Sequence, residues 1–388
     1  MRFFALISLS TLFLIPFFTT VQSVEKQTAL RLLDQGLFHF EERDSLPEQR
    51  RFGRDRTDAQ RDLDKIVDEA ILVLGSPEIL SFLNKIRELD ALIVEQMNTI
   101  ADLEEQRLFA PVIIEHQGVL KRLFSFSRPQ TQDDFTGLIE AHEENIKQYS
   151  SDQAALKREI YMHLRDLDVP VSYQHIDSIV ASSIADSVLN NIVLFHNIAE
   201  LTEKLGELTI RSGENLATAK RYYGMMIILH LMVGHANTEF ITQIENEVVP
   251  QLRQFREEAR TVIRSSENLI REESSRLPPD TDLSPQLQTL RANVSANRLT
   301  IEAIDLYLEY LRNAIDRSTQ TILENNRNLN IAENTYRTVS LSASVLELIR
   351  EGTSTFNRVL SMNIPEPIIF ENEELRREFV RLSGRMGD

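Results

Sequence analysis

Apolar residues return every seven positions through the last third of the chain. The a positions are Leu287, Val294, Ile301, Leu308, Ile315, Ile322 and Leu329, every one aliphatic. The d positions are weaker: Leu290, Asn297, Ile304, Leu311, Ser318 and Asn325. A spacing of about 3.5 residues held this long predicts a long helix laid against another helix rather than a face folded onto a sheet. No proline falls between Gln286 and Ile364. One coiled-coil helix is therefore expected over residues 283–362.

Two earlier segments carry the same signature. From Glu78 to about Arg107 the a positions are Ile79, Ile86, Ile93 and Ile100, with Phe82, Leu89, Gln96 and Leu103 at d. A poorer run passes through Ile139, His142, Ile146, Tyr149, Gln153, Leu156, Ile160, His163 and Leu167. Between them Ala110–Gln132, with Pro111, Gly118 and Pro129, reads as a helical hairpin connection. Three seams in one chain can satisfy one another, because short connections hold partners at high effective concentration.

Ahead of these, Thr28–Phe40 reads as a short apolar helix and Glu41–Arg61 as a solvated, charged linker. A helix is expected from about Ala59 to Leu74. Gly75-Ser76-Pro77 should end it, with the glycine in a left-handed stop, Ser76 as the next N-cap and Pro77 in the first turn. The middle differs. Apolar positions from Ile176 to Ile198 cover too wide an arc for a two-stranded seam and predict a helix buried on several sides. The most apolar internal run follows, Tyr222–Ala236, and then an amphipathic stripe through Phe240, Ile244, Val248, Leu252, Phe255, Ala259, Val262 and Leu269. After Gly352, an extended piece at Ile364–Phe370 leads to a last helix, Glu371 to about Leu382. The expected fold is all-α: an elongated bundle of long antiparallel helices with coiled-coil seams around a more globular helical middle. The expected divisions are 24–62, 63–168, 169–282, 283–362 and 363–388.

Composition adds a compartment. Met1-Arg2 precedes an apolar stretch, Phe3–Phe18, and Val21-Gln22-Ser23 offers a cleavage site, so residues 1–23 read as a signal peptide cut near Ser23. The stretch is short for a membrane span, and no cysteine follows it for lipid attachment. Export is the expectation, to a periplasm or the outside. With 59 acids against 42 bases the net charge is −17, which repels phosphate backbones and argues against nucleic acid. The absence of cysteine leaves an exported chain to be held by packing alone, and removes thiol chemistry.

Candidate chemistry is sparse. No HExxH, repeated Glu-x-x-His, GxSxG, P-loop or GxGxxG occurs, so no catalytic residue, metal ligand or cofactor is assigned. The nearest histidine–carboxylate groupings are His142 with Glu143 and Glu144, and His235 with Glu239. His142 and His163 fall instead on the third seam, where protonation would weaken packing. Asn297, Ser318 and Asn325 interrupt the long seam; polar residues there fix register or a partner, or else face solvent. Asn293-Val294-Ser295 matches a glycosylation pattern by chance on a helix. The Ile364–Phe370 tail either caps the bundle or is offered to a partner. The reading is an exported, non-enzymatic scaffold that binds or spaces protein partners in a cell envelope, with self-association open. A secreted α-helical pore-former is the alternative. There Tyr222, Met226, Ile228, Leu229, Leu231 and Val233 would enter lipid, although 15 residues of helix span only about 22 Å.

Overall fold

A computed structural model describes residues 15–50, 52–112, 131–212, 216–276, 285–337, 356, 359–360, 368, 370 and 372–386, with 15–25 and 216 as helical backbone. Among these residues the chain is helical and contains no strand, in keeping with the all-α expectation. It divides into two compact units. One is Glu78–Val180; the other combines Met1–Pro77 with Ala181–Asp388.

The smaller unit is an antiparallel helical hairpin. Helix α3 (Pro77–Phe109) and helix α4 (Gln132–Asp166) lie side by side, followed by short α5 (Tyr173–Val180). Cross-links rise along one helix as they fall along the other. Glu78 faces His163 (3.4 Å), Asp90 accepts from Gln153 (2.6 Å), and Gln96 meets His142 (2.7 Å). Nearer the turn, Arg107 reaches Thr136, and the Gln132 amide nitrogens donate to Pro111 and Ala110. The second and third heptads therefore pair within the chain. Thr131 starts α4 with a reciprocal capping box to Asp134. Asp168, at φ 57°, takes the left-handed position after α4. Residues 113–130 of the expected connection lie outside those described.

The larger unit surrounds helix α7 (Leu216–Gln243), which packs against α1 (Ile15–Ser45), α2 (Arg56–Leu74), α6 (Ala185–Arg211) and α9 (Pro285–Arg337). From Met225 to Val233 every side chain of α7 except Leu231 is buried. At roughly 1.5–3 kcal/mol for each large apolar group, this segment alone accounts for much of the core. Gly224 lets α1 come close: a Cβ there would lie 2.6 Å from Leu37 Cδ1 and 2.9 Å from Tyr336 Cε2. A π-turn, Ile244–Val248, joins α7 to α8 (Val249–Arg276). Its wider spacing accommodates Pro250, whose ring a regular helix would press against the Asn246 carbonyl. Helix α8 then runs antiparallel to α9, tied by Arg256–Asp305 (2.8 Å) and Arg298–Glu267 (3.1 Å). Helix α10 (Glu373–Met386) covers α9, with Phe379 4.4 Å from Tyr307 between ring centroids.

Several expectations change. The first helix extends to Ser45, so the expected linker shrinks to about Leu46–Asp55. Part of its charge is paired: Arg54 binds Glu42 and Asp62, and Arg43 donates to Gln60, while Glu48 and Arg50 are exposed. Asp55 and Asp58 form a capping box at the start of α2. Gly75 is not left-handed; its φ is −73°. The glycine is needed because a Cβ would sit 2.2 Å from Asn190 Oδ1, the atom that accepts the Ser76 amide proton at 3.1 Å. The apolar run 176–198 is not one helix, since the chain breaks between Val180 and Ala185. On α8, Val262 and Leu269 are exposed, and the inward line passes through Ala259 and Ser266 instead. The long helix also presents a different face. From Ala303 onward its buried stripe is Ile304, Tyr307, Leu311, Ala314, Ser318, Thr321, Asn325, Ala332 and Tyr336, while Leu308, Ile315, Ile322 and Leu329 are half-buried at its edge. The d line and its neighbour face inward, not the aliphatic a line.

Candidate interaction surface

The polar interruptions of the long helix separate into three cases. Asn325 is fully buried; its Nδ2 donates to the His230 carbonyl (2.8 Å), and its Oδ1 meets His230 Nδ1 (2.9 Å). The His230 ring stacks on Phe356, 3.9 Å between centroids. Burial holds this imidazole neutral and pushes its pKa down from 6.5 to about 4, with the Asn325 hydrogen bond opposing part of the shift. Asn325 thus locks the register of α9 on α7. Ser318 is buried and lines a small cavity between α6, α7 and α9. Asn297 is half-buried and donates to its own helix at Asn293.

Tyr222, Met226, Ile228, Leu229, Leu231 and Val233 all belong to α7. Met226, Ile228, Leu229 and Val233 lie in the central cluster, with Tyr222 and Leu231 packed against it. Among the described residues no helix is long and apolar enough to cross a membrane.

The hairpin sets exposed apolar side chains in a row. Beyond Ile86, α3 buries no side chain; its a and d residues Ile93, Gln96, Ile100 and Leu103 are half-buried. A second apolar stripe runs a quarter-turn round the helix from that seam: Val94, Met97, Ala101 and Leu108, at spacings of three, four and seven. Val94 is 56% exposed, Met97 58% and Leu108 77%. Phe109 and Val112 continue the exposed apolar surface. The surroundings are acidic. Residues 88–106 contain Glu88, Asp90, Glu95, Asp102, Glu104 and Glu105 and no base, and the facing stretch 136–156 carries Glu140, Glu143, Glu144 and Asp152 against Lys147. Assigning only a and d positions overlooks this stripe; its own spacing of three and four is the signal that would have found it.

The histidines go to local partners. His142 meets Gln96, His163 faces Glu78, and His235 Nε2 lies 2.9 Å from Asp68 Oδ1. Among the described residues no three histidine, aspartate or glutamate side chains are grouped to hold a metal. Of the tail, Ile368 is buried and Phe370 packs edge-on against Phe379; the other residues of 361–369 lie outside those described. No family model, curated protein or solved structure matches this chain.

Proposed function

We propose that the chain is an exported, non-enzymatic interaction protein of a cell envelope, most simply a bacterial periplasm, and that the α3–α4 hairpin meets its partner. The observation that carries this reading is the exposed stripe Val94–Met97–Leu108 on α3, whose residues 88–106 carry six acids and no base. The heptad seam of α3 is used internally, so the stripe is surplus to folding. The partner that fits is an amphipathic helix whose apolar line is flanked by Lys or Arg; it would bury the stripe and neutralise Asp90, Glu104 and Glu105. A second copy of the chain fits poorly, because it sets acids against acids. Export is supported by the basic, apolar and small-residue order of residues 1–23. Among the α1 residues whose side chains are described, Ala29, Leu32, Leu33, Leu37 and Phe40 are buried, and all would remain after a cut at Ser23.

A photo-reactive phenylalanine analogue at Met97 of the expressed protein tests the reading, with mass-spectrometric mapping of the product. Cross-links to a Lys/Arg-rich helical segment of another envelope protein, weakened by added salt, are expected. Cross-links to a second copy, or to an acidic segment, would overturn the assignment. N-terminal sequencing of the exported protein should begin at Val24.

A further inference from the structure

The aliphatic heptad line of α9 is covered by α8 along only part of its length. Over its first part Leu287 and Val294 are buried, and α8 lies alongside, tied by Arg298–Glu267 and Arg256–Asp305. The two helices are antiparallel, so the second pairing puts Val249, where α8 begins, level with Arg312. A strict seven-residue line drifts by about 20° per heptad on a straight helix. Between Val294 and Ile322 it swings round by about 80°, and past Arg312 helix α7 sits on the line of Asn325 instead. Ile315, Ile322 and Leu329 are left half-buried at the edge. Beside them Thr319, Leu323 and Asn326 are exposed, Leu323 by 57%. These six residues form an uncharged face. Arg312, Asp316 and Arg327 border it, are exposed, and make no ion pair or hydrogen bond among the described residues.

We propose that this face pairs with the same face of a second copy, antiparallel, about a two-fold axis at Ile322. Ile315 and Leu329 lie seven residues on either side of Ile322, so each aliphatic side chain meets another. Thr319 comes level with Asn326 of the second copy, two neutral groups able to hydrogen-bond. The charges match as well. Asp316 lies six residues before the axis and Arg327 five after it; Arg312 lies ten before and Glu333 eleven after. Each acid therefore faces a base, twice over by symmetry, as a self-complementary interface requires. Glu333 already has Arg337 at 3.5 Å, so the pairing of Asp316 with Arg327 is the more telling. A parallel pair would set Asp316 on Asp316 and Arg327 on Arg327, and is disfavoured. From Arg312 to Glu333 the helix is about 32 Å long, a small contact, so dissociation on the order of micromolar is expected. The face lies on a different helix from the stripe of α3, and the inference is independent of the hairpin reading.

Sedimentation equilibrium on the expressed chain tests it. A monomer–dimer equilibrium is expected. Asp316→Arg should weaken it about tenfold, since two ion pairs become two repulsions. Adding Arg327→Asp should restore it, because the swap exchanges the two signs. Both side chains are exposed, so the helical circular dichroism should be unchanged. The chain has no cysteine, so an introduced one reports its own neighbour. Ile322→Cys should close a disulfide between copies on mild oxidation. Asn313→Cys, exposed and nine residues from the axis, would stand about 27 Å from its counterpart and should not. A chain still monomeric at about 1 mM would overturn the proposal. So would cross-linking at Asn313→Cys, its absence at Ile322→Cys, or a double charge variant no better than Asp316→Arg alone.

Discussion

Asn325 occupies both ends of one amide on a single neighbour, the carbonyl and the ring of His230. Replacing it with leucine removes the partners of two buried groups at once. Each unpaired buried group costs about 1–3 kcal/mol, so Asn325→Leu should lose roughly 3 kcal/mol in urea unfolding. Adding His230→Leu removes the orphaned ring, and the double variant should recover a good part of that loss; a simple sum of the single effects would show that the pair does not act as a unit. The imidazole also makes stability depend on pH. Its folded pKa lies near 4 and its ordinary value at 6.5, so the unfolded chain binds the proton more readily. This contribution is fully present above pH 6.5 and is lost as pH falls toward 4, by up to about 3 kcal/mol. Subtracting the profile of a His230→Leu variant from that of the native chain isolates this slope.

At the scale of elements, Gly75 shows how a correctly placed helix end can rest on an unexpected cause. Its backbone suits any residue, yet Asn190 Oδ1 occupies the space of a Cβ and binds the next amide. Gly75→Ala should therefore destabilise by about 1–3 kcal/mol, although alanine ordinarily stabilises at an unstrained position. If Gly75→Ala combined with Asn190→Ala proved no more damaging than Asn190→Ala alone, crowding would be confirmed as the cause. The same limit governs how much was legible beforehand. Helix positions and the α3–α4 pairing follow from the period, because one helix against one neighbour obeys one stripe. The inward face of α9 does not. That helix meets α8 along one part and α7 along another, and α7 brings the polar His230 with it. Small and polar Ala314, Ser318 and Asn325 then make the better contact, and larger aliphatic residues move to the edge. The exposed stripe of α3 escapes for a related reason, since Val94, Met97 and Leu108 lie beside the a and d lines and not on them.

At the scale of the whole molecule, stability should be unevenly shared. Helix α7 is enclosed by four helices, whereas residues 93–107 of α3 and 142–156 of α4 keep no side chain fully buried. Local opening needs little where few apolar contacts are lost. Amide hydrogen exchange should be slowest from Met225 to Val233, proceeding there through global unfolding. It should be at least about a hundredfold faster in the distal hairpin, a difference near 3 kcal/mol. This unevenness bears on the proposed function. A hairpin held by one half-covered seam gains most from a third helix, because the partner supplies the cover that the chain leaves out. Bound partner should accordingly slow exchange around Val94–Leu108 and leave α7 as it was. Hairpin amides as protected as those of α7 in the free protein would mean that the stripe is not in need of cover, and the interaction reading would lose its physical basis.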